Sequence, residues 1–203
     1  MKIYSTRAAI VACIISVGCA LTTDRIALEY RPMPGVQLLK EAEGITVLVS
    51  VSDLRSDKTR VSCKKNGFGM EMAPIIAEED PAITIKRAFE TEFMARGFKV
   101  GGEALVLISS DVTRFWNDHK TGFFAGDSVA DLNMTVVVKN KTGDKILFTK
   151  QVSAQGLEAN IQLQGGNNAK LALDKALSIG LRQLFEDTAF IDSIIKAKTS
   201  SRS

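Results

Sequence analysis

Side chains that could perform hydrolytic chemistry are few in this chain, and only one of them is a histidine. A serine or cysteine hydrolase needs a nucleophile, a general base and usually an acid that orients the base. His119 lies in a polar stretch, residues 116–122, that predicts a turn, with Asp118 as its sequence neighbour. A turn histidine is more often solvated than catalytic. Since the chain also contains no HExxH, GxSxG or P-loop motif, we expect no enzymatic activity.

The cysteines do not form a metal-binding pattern either. Structural zinc requires cysteine and histidine ligands in closely spaced groups, whereas Cys63 and His119 each stand alone. Cys13, Cys19 and Cys63 are odd in number and lack CxxC spacing, so they do not form a disulfide framework. We therefore expect neither a metal nor a cofactor.

A cluster of alternating charges could bind a small ligand. Asp53, Arg55 and Asp57 follow a predicted strand, and an arginine between two carboxylates is suited to bidentate contacts. The alternative, which we prefer, is that Arg55 bridges its neighbours and fixes the exit of the strand, because charge clusters are common at strand ends. With both interpretations open, Asp53, Arg55 and Asp57 are our candidate residues for ligand binding.

Four aromatic residues, including the only tryptophan, surround the predicted turn: Phe115, Trp116, Phe123 and Phe124. A solvent-facing aromatic cluster would mark a partner-binding surface, because aromatic side chains are favoured at interface hot spots. The alternative is that the cluster packs on a helix at the strand ends, since aromatic side chains bury large areas. The exposure of Trp116 distinguishes the two.

The first 21 residues predict export. Lys2 and Arg7 precede an uncharged apolar run from Ala8 to Gly18, which is typical of the n-region and h-region of a signal peptide. Even extended to Leu21, the run has about 14 residues, fewer than the roughly 20 that span a bilayer. We therefore expect a signal peptide and not a permanent transmembrane helix.

The segment Ser16-Val17-Gly18-Cys19 at the end of this run resembles the lipobox of bacterial lipoproteins, in which the cysteine is acylated before cleavage. Ile10-Val11-Ala12-Cys13 fits the four-residue pattern better, but cleavage there would leave only about five apolar residues after Arg7, too few for an h-region. We predict that residues 1–18 are removed and that Cys19 carries the lipid, palmitate included. A plain secretory signal or an uncleaved anchor is the alternative.

The residue after the cysteine indicates which membrane receives the protein. An aspartate there would resemble an inner-membrane retention signal, whereas Ala20 favours the outer membrane, with the domain in the periplasm. Several acyl chains would anchor it permanently, since each buried CH₂ contributes about 0.8 kcal/mol. Lys2 and Arg7 supply two of the formal net charge of +3, so the mature chain, at +1, shows no basic footprint for nucleic acid.

The elements that would position these residues follow a predicted tether, residues 19–43, which contains two prolines. The domain is predicted over residues 44–197, and residues 198–203 are predicted to be a disordered tail. Alternating apolar residues from Ile45 to Ser52 predict a strand. Asp80-Pro81 then predicts the start of a helix over 81–96, because aspartate caps free amides and proline is tolerated at the first helical position.

Three more strands and a second amphipathic helix are predicted before the tail. The strands lie near residues 104–115, 127–139 and 145–157, and the helix over 169–185. Residues 58–79 fit either a loop or an edge hairpin. The order β-α-β-β-β-α predicts an α+β two-layer sandwich, a mostly antiparallel sheet with two amphipathic helices on one face.

Four short motifs are shared with a known family: the acylated Cys19, Asp53-Leu54-Arg55-Ser56-Asp57, Ala95-Arg96-Gly97-Phe98 and Phe185-Glu186-Asp187-Thr188. On these motifs the chain resembles the YajG-type family of uncharacterised bacterial lipoproteins. The resemblance implies an outer-membrane lipoprotein of unassigned activity. We expect a non-catalytic interaction or scaffold component of the cell envelope that binds another envelope protein. The alternative is a small-ligand or glycan-binding module that uses the charged cluster.

Overall fold

A computed structural model of the chain describes residues 22–120, 122, 125–162 and 164–200. The strands are β1 (Asp24–Ile26), β2 (Thr46–Asp53), β3 (Ser62–Lys65), β4 (Glu71–Ala77), β5 (Lys99–Val100), β6 (Val106–Lys120), β7 (Gly126–Asn140) and β8 (Ile146–Ile161). The helices are α1 (Pro81–Ala95), α2 (Gly166–Phe185) and α3 (Thr188–Ser200), and a short 3-10 turn covers Lys40–Ala42.

The main sheet has five strands in the order β5-β2-β6-β7-β8. Strand β2 runs parallel to β5 and β6, whereas β6, β7 and β8 form an antiparallel meander. The parallel pairs arise because helix α1 returns the chain to the starting end of β2, as parallel neighbours require. The α+β class is confirmed. The sheet is mixed: most of its pairing is antiparallel, as predicted, but β2 pairs in parallel with both of its neighbours.

A second sheet of three strands, in the order β1-β4-β3, was not predicted. Strands β3 and β4 form an antiparallel hairpin, so residues 58–79 take the hairpin alternative. Strand β1 adds to β4 in parallel. The predicted β-α-β-β-β-α order was wrong because it omitted these three strands, β5 and α3. Only two residues separate α2 from helix α3, so the apolar residues of α3 resemble a short tail of α2. The domain is therefore not a simple two-layer sandwich.

Helices α1, α2 and α3 lie on one face of the main sheet, as predicted for the first two. The buried residues of β7 alternate with more exposed ones and include Leu132, Met134 and Val136. Helix α2 approaches the sheet closely because Gly156 lies beneath it: a Cβ atom there would be 2.0 Å from the carbonyl oxygen of Ala172. Between the helices, Phe89, Phe93, Phe185 and Phe190 form an aromatic cluster.

The segment predicted as a tether is largely part of the fold. Strand β1 belongs to the second sheet, and the backbone N–H of Leu39 donates to the carbonyl of Arg96 over 3.0 Å. Ala42 is completely buried. The segment packs because Ile26 and Tyr30 contact the core, a pattern too sparse to be recognised as an element. The disordered tail is also corrected, since α3 continues to Ser200; residues 201–203 lie outside the described part.

Helix α1 begins and ends close to its predicted limits of 81 and 96. The Asp80 carboxylate accepts a hydrogen bond of 2.9 Å from the backbone N–H of Ala82, and Pro81 occupies the first helical position. Phe89 and Phe93, which are four residues apart and so lie on one face of the helix, are fully buried. Here a cap, a proline and an amphipathic repeat agreed, and local sequence was sufficient.

Candidate interaction surface around Trp116

Trp116 and Phe115 lie side by side on β6 but on opposite faces of the sheet. Phe115 is fully buried and belongs to the core, so it is not part of an accessible partner surface. Trp116 is half-buried on the face that the helices leave uncovered. Phe123 and Phe124, the other two predicted partner-binding residues, lie outside the described residues. Of the two described members of the predicted aromatic site, Trp116 is therefore the accessible one.

Arg60 covers one side of the Trp116 ring. Its guanidinium carbon lies 5.3 Å from the ring centroid, within the range of a cation–π contact. The guanidinium is held by Asp57, with 2.7 Å from Nε to Oδ2, and by Glu71. Hydrogen bonds from Thr59 and from Arg60 lower the pKa of Asp57 to about 2, so this carboxylate is ionised at neutral pH. The arginine is therefore fixed in place over the tryptophan.

Asp53 and Arg55 do not form an open ligand site. Arg55 Nη2 donates to Asp53 Oδ2 over 2.8 Å, and Nη1 donates to the carbonyl oxygens of Arg60 and Phe115 over 3.1 and 3.2 Å. Burial would raise the pKa of Asp53, but the hydrogen bonds from Arg55 outweigh it and the pKa is lowered. This arrangement ties the segment after β2 to β6. It supports the local bridging role that the sequence favoured.

His119 is not in a turn, as the sequence predicted, but on β6, where it is 2% exposed. Neither ring nitrogen has a hydrogen-bond partner within the described ranges. Burial lowers the pKa of His119 to about 4, and the weaker effect of Asp118 in the opposite direction does not restore it. Strand alternation separates the pair, and Asp118 binds Lys65 Nζ over 2.5 Å. The two therefore do not form a base and its orienting acid.

Cys63 is a buried thiol on β3. Burial, followed by the nearby Glu71, raises its pKa to about 11, so it is protonated at neutral pH and a poor nucleophile. Across residues 22–120, 122, 125–162 and 164–200 there is no group of three side chains suited to hold a metal ion. The predicted lipidation site, Cys19, precedes the described residues.

The face of the main sheet that the described part of the chain leaves uncovered is here called the open face. It consists of the outward side chains of β2, β6, β7 and β8. Its middle is a polar network in which Asp131 accepts hydrogen bonds of 3.0 Å from both Arg114 Nε and Gln155 Nε2. Larger apolar side chains lie toward its ends, with Leu48 43% and Leu157 50% exposed. Trp116 and Arg60 border this network and line a shallow cavity of about 200 Å³.

Sequence reasoning missed Arg60 as a member of this surface. Arg60 lies in the irregular stretch, and it reaches Trp116 only because β3 runs beside the second half of β6: the N–H of Asn117 donates to the carbonyl of Val61 over 2.8 Å. A contact made through such distant pairing leaves no local signal. Only the abundance of charged residues next to the predicted site could have suggested it.

The first of three similar solved structures shows that the fold is shared with a known protein. A protein from Xanthomonas campestris, XCC0632, is 13% identical, with a TM-score of 0.57 over 89% of this chain and 99% of that one. A neuraminyllactose-binding hemagglutinin homologue from Helicobacter pylori is 9% identical, with a TM-score of 0.48 over 86% of this chain and 100% of its own. A minor lipoprotein from Acinetobacter baumannii is 10% identical, with a TM-score of 0.38 over 72% of this chain and 92% of its own.

Sequence comparison bears on the family. The sequence matches none of the curated proteins at a significant level. The model of a family described as "Uncharacterized lipoprotein" matches residues 32–194, which is most of the chain. None of the helices in the described ranges is long and apolar enough to cross a membrane.

Proposed function

Because the chain belongs to this family of uncharacterised lipoproteins, we propose that it is an outer-membrane lipoprotein that binds another envelope protein and catalyses no reaction. The anchor is the set of acyl chains on Cys19, and the domain faces the periplasm. The open face around Trp116 is the binding surface. The observation that carries the proposal is the position of half-buried Trp116 and its fixed arginine on a sheet face that the described helices leave bare.

The anchor is supported by the sequence and by the position of the fold. The apolar run that ends in Ser16-Val17-Gly18-Cys19 has the length of a signal h-region and small residues before the cysteine. Strand β1 of the domain begins at Asp24, five residues after Cys19. A lipid on Cys19 would therefore be joined to the domain without a long linker.

The composition of the open face favours a protein partner. Tryptophan and arginine are enriched among the residues that contribute most to protein–protein binding. Arg60 is already held by Asp57, so it would lose little side-chain entropy when a partner covers it. The polar network of Arg114, Asp131 and Gln155 provides a hydrogen-bonding rim beside the aromatic ring.

A small-ligand site is supported less well. The cavity beside Trp116 has about 200 Å³, below the roughly 300 to 1,000 Å³ of most small-molecule sites. Arg55 directs its guanidinium to Asp53 and to two backbone carbonyls, so it does not face a ligand. A non-catalytic role agrees with the separation of His119 from Asp118 and with the protonated thiol of Cys63.

Site-specific photo-crosslinking in intact cells tests the proposal. A photoreactive amino acid at Arg114 or Thr135, both on the open face, should give one discrete adduct with an envelope protein. The same amino acid at Leu171, exposed on α2, should not give that adduct. Trp116→Ser should remove the Arg114 adduct while the protein remains folded.

The outcome that contradicts this binding surface is specific. Adducts of equal yield from Arg114 and from Leu171, or an Arg114 adduct that Trp116→Ser leaves unchanged, would reject the open face as the binding surface. Circular dichroism of each variant confirms that loss of the adduct does not result from unfolding.

A further inference from the structure

The turn between β3 and β4 exposes apolar side chains to an unusual degree. Phe68 is 90%, Met70 58% and Met72 40% exposed. The turn is nonetheless well formed, because Asn66 Oδ1 accepts hydrogen bonds of 3.0 Å from the backbone N–H groups of both Phe68 and Met70. Gly69, with φ of +81°, completes it. An ordered turn thus holds an aromatic ring away from the core.

This turn lies at the end of the domain that contains Thr22, the first described residue, here called the Thr22 end. Strands β1 and β4 are parallel, with Asp24 opposite Ile75, so both begin at the same end. Lys64 reinforces the arrangement, since its Nζ donates 2.9 Å to the carbonyl of Thr22 and 2.7 Å to Asp24 Oδ1. The first described residue and the apolar turn are therefore neighbours.

The distances along the chain allow a lipid on Cys19 to reach the level of the turn. Three peptide links join Cys19 to Thr22, and they span at most about 11 Å. Continuing the register of β1 and β4 puts Thr22 beside Ala73. Met70 precedes Ala73 by three residues, so it lies about 10 Å farther out at the Thr22 end. Acyl chains on Cys19 would hold the Thr22 end close to the bilayer, where Phe68 and Met70 can reach the interface.

We infer that the β3–β4 turn is a second membrane contact, in which Phe68 and Met70 enter the bilayer interface beside the lipidated cysteine. This inference rests on the lipid anchor proposed above and adds a lipid surface as the occupant of the turn. Apolar and aromatic side chains partition into the interface because water is removed from their surface. The contact fixes the orientation of the domain, with the end of β6 toward the membrane, the start of β6 away from it, and the open face accessible from the side.

The test places a fluorophore on the turn of the full, lipidated chain. The chain is reconstituted into vesicles of phosphatidylethanolamine and phosphatidylglycerol that contain spin-labelled quencher lipids. Met70→Cys carries an environment-sensitive dye and keeps Phe68 in place; buried Cys63 does not compete for the dye. The control is Leu38→Cys, an apolar residue that is 74% exposed.

Leu38 is a matched control because it lies at the opposite end of the main sheet. A Cβ atom on Gly97 would be 3.4 Å from Leu38 Cδ2, and Gly97 precedes β5, which pairs with the first residues of β2. Strands β2 and β6 start together there, whereas β6 ends beside β3 at the Thr22 end. A dye at Leu38 therefore reports the same chemistry far from the bilayer.

We expect the quencher lipids to reduce the fluorescence at Met70 several-fold more than at Leu38. Adding Phe68→Ser to the Met70→Cys protein should lower the quenching toward that at Leu38. Equal, weak quenching at both positions would overturn the inference. A dye at Met70 that is shielded from water but not quenched by lipid would also overturn it, because the turn would then contact protein, such as a second copy of the chain.

Mass spectrometry of the same sample separates the two proposals. If Cys19 carries acyl chains and the Met70 dye is not quenched, the membrane contact is rejected and the lipid anchor stands. If Cys19 carries none, the lipid anchor is rejected, and the inference that rests on it is rejected as well.

Discussion

The hydroxyl of Tyr30 donates a hydrogen bond of 2.6 Å to Glu92, and this bond joins the segment before β2 to helix α1. Glu92 is fully buried and also accepts from the N–H of Met33 over 3.0 Å and from Arg96. Burial, followed by the hydrogen bond with Glu92, raises the pKa of Tyr30. A buried carboxylate is tolerated here because charged and neutral donors satisfy both of its oxygens.

We expect Glu92→Ala to lower the free energy of unfolding by about 3 to 5 kcal/mol, the usual effect of removing one member of a buried ion pair. The substitution leaves the Tyr30 hydroxyl without its acceptor and Arg96 without its carboxylate partner, so that Arg96 keeps the backbone carbonyl of residue 92. Chemical denaturation measures the change. Glu90→Ala on the same helix is the control and should change stability by less than about 1 kcal/mol, because Glu90 forms only a surface pair of 3.8 Å with Lys86. Equal effects of the two substitutions would contradict the role of Glu92.

A second prediction concerns the contact of α2 with β8. Gly156→Ala should destabilise the domain by about 3 kcal/mol, the upper end of the usual cost of overpacking. The added Cβ would lie 2.0 Å from the carbonyl oxygen of Ala172 and 2.5 Å from the amide nitrogen of Ala176, and backbone atoms cannot rotate away. Gly67→Ala, where a Cβ meets nothing within 4 Å, should change the denaturation midpoint very little. A neutral Gly156→Ala would show that the helix lies farther from the sheet.

A third prediction is a pH dependence that originates from His119. Burial lowers its pKa in the folded state to about 4, compared with an ordinary value of 6.5. Between these values the unfolded state binds more protons, so stability falls as the pH falls, by up to about 1.4 kcal/mol per pH unit. Denaturation curves at pH 7 and pH 5 measure this loss. The free energy of unfolding of His119→Leu should lose the part of this pH dependence that His119 causes. If His119→Leu depends on pH as strongly as the wild type, the prediction is refuted.

A fourth prediction tests the anchor directly. Cys19→Ser should prevent lipid attachment and processing, because the cysteine sulfur is the acylated atom. Metabolic labelling with a fatty-acid analogue should lose its signal in Cys19→Ser and keep it in Cys13→Ser. Label that persists in Cys19→Ser would place the acylated residue elsewhere.

Sequence reasoning succeeded where one segment contains its own signal. Helix α1 has a cap, a proline and an apolar repeat within its own residues, and strands β2, β7 and β8 show alternation that needs no partner to be recognised. The elements it missed depend on distant pairing. Strand β1 has three residues and exists because β4 accepts it, and the hairpin of β3 and β4 has little alternation of its own.

The end of β6 shows why the candidate site was placed in the wrong structure. Residues 116–122 are rich in polar side chains, which locally predict a turn. In the fold, buried Asn117 binds Ser62 and Ser128 over 3.0 and 2.7 Å, and these bonds satisfy its amide group within the domain. The strand therefore continues through His119. Local composition cannot reveal a polar side chain that is satisfied by residues 55 positions away.

The two carboxylate oxygens of Asp24 set an order of events in folding. One binds Lys64, 40 residues later, and the other accepts 2.7 Å from the N–H of Gly166, 142 residues later. The chain is synthesised from its N-terminus, so β1 is made first. It cannot complete its contacts until the start of helix α2 has been synthesised as well. Contacts between residues so far apart in sequence also slow folding. The start of the domain is then among the last parts to become stable, since a nascent chain shorter than 166 residues lacks the Gly166 amide that Asp24 accepts from.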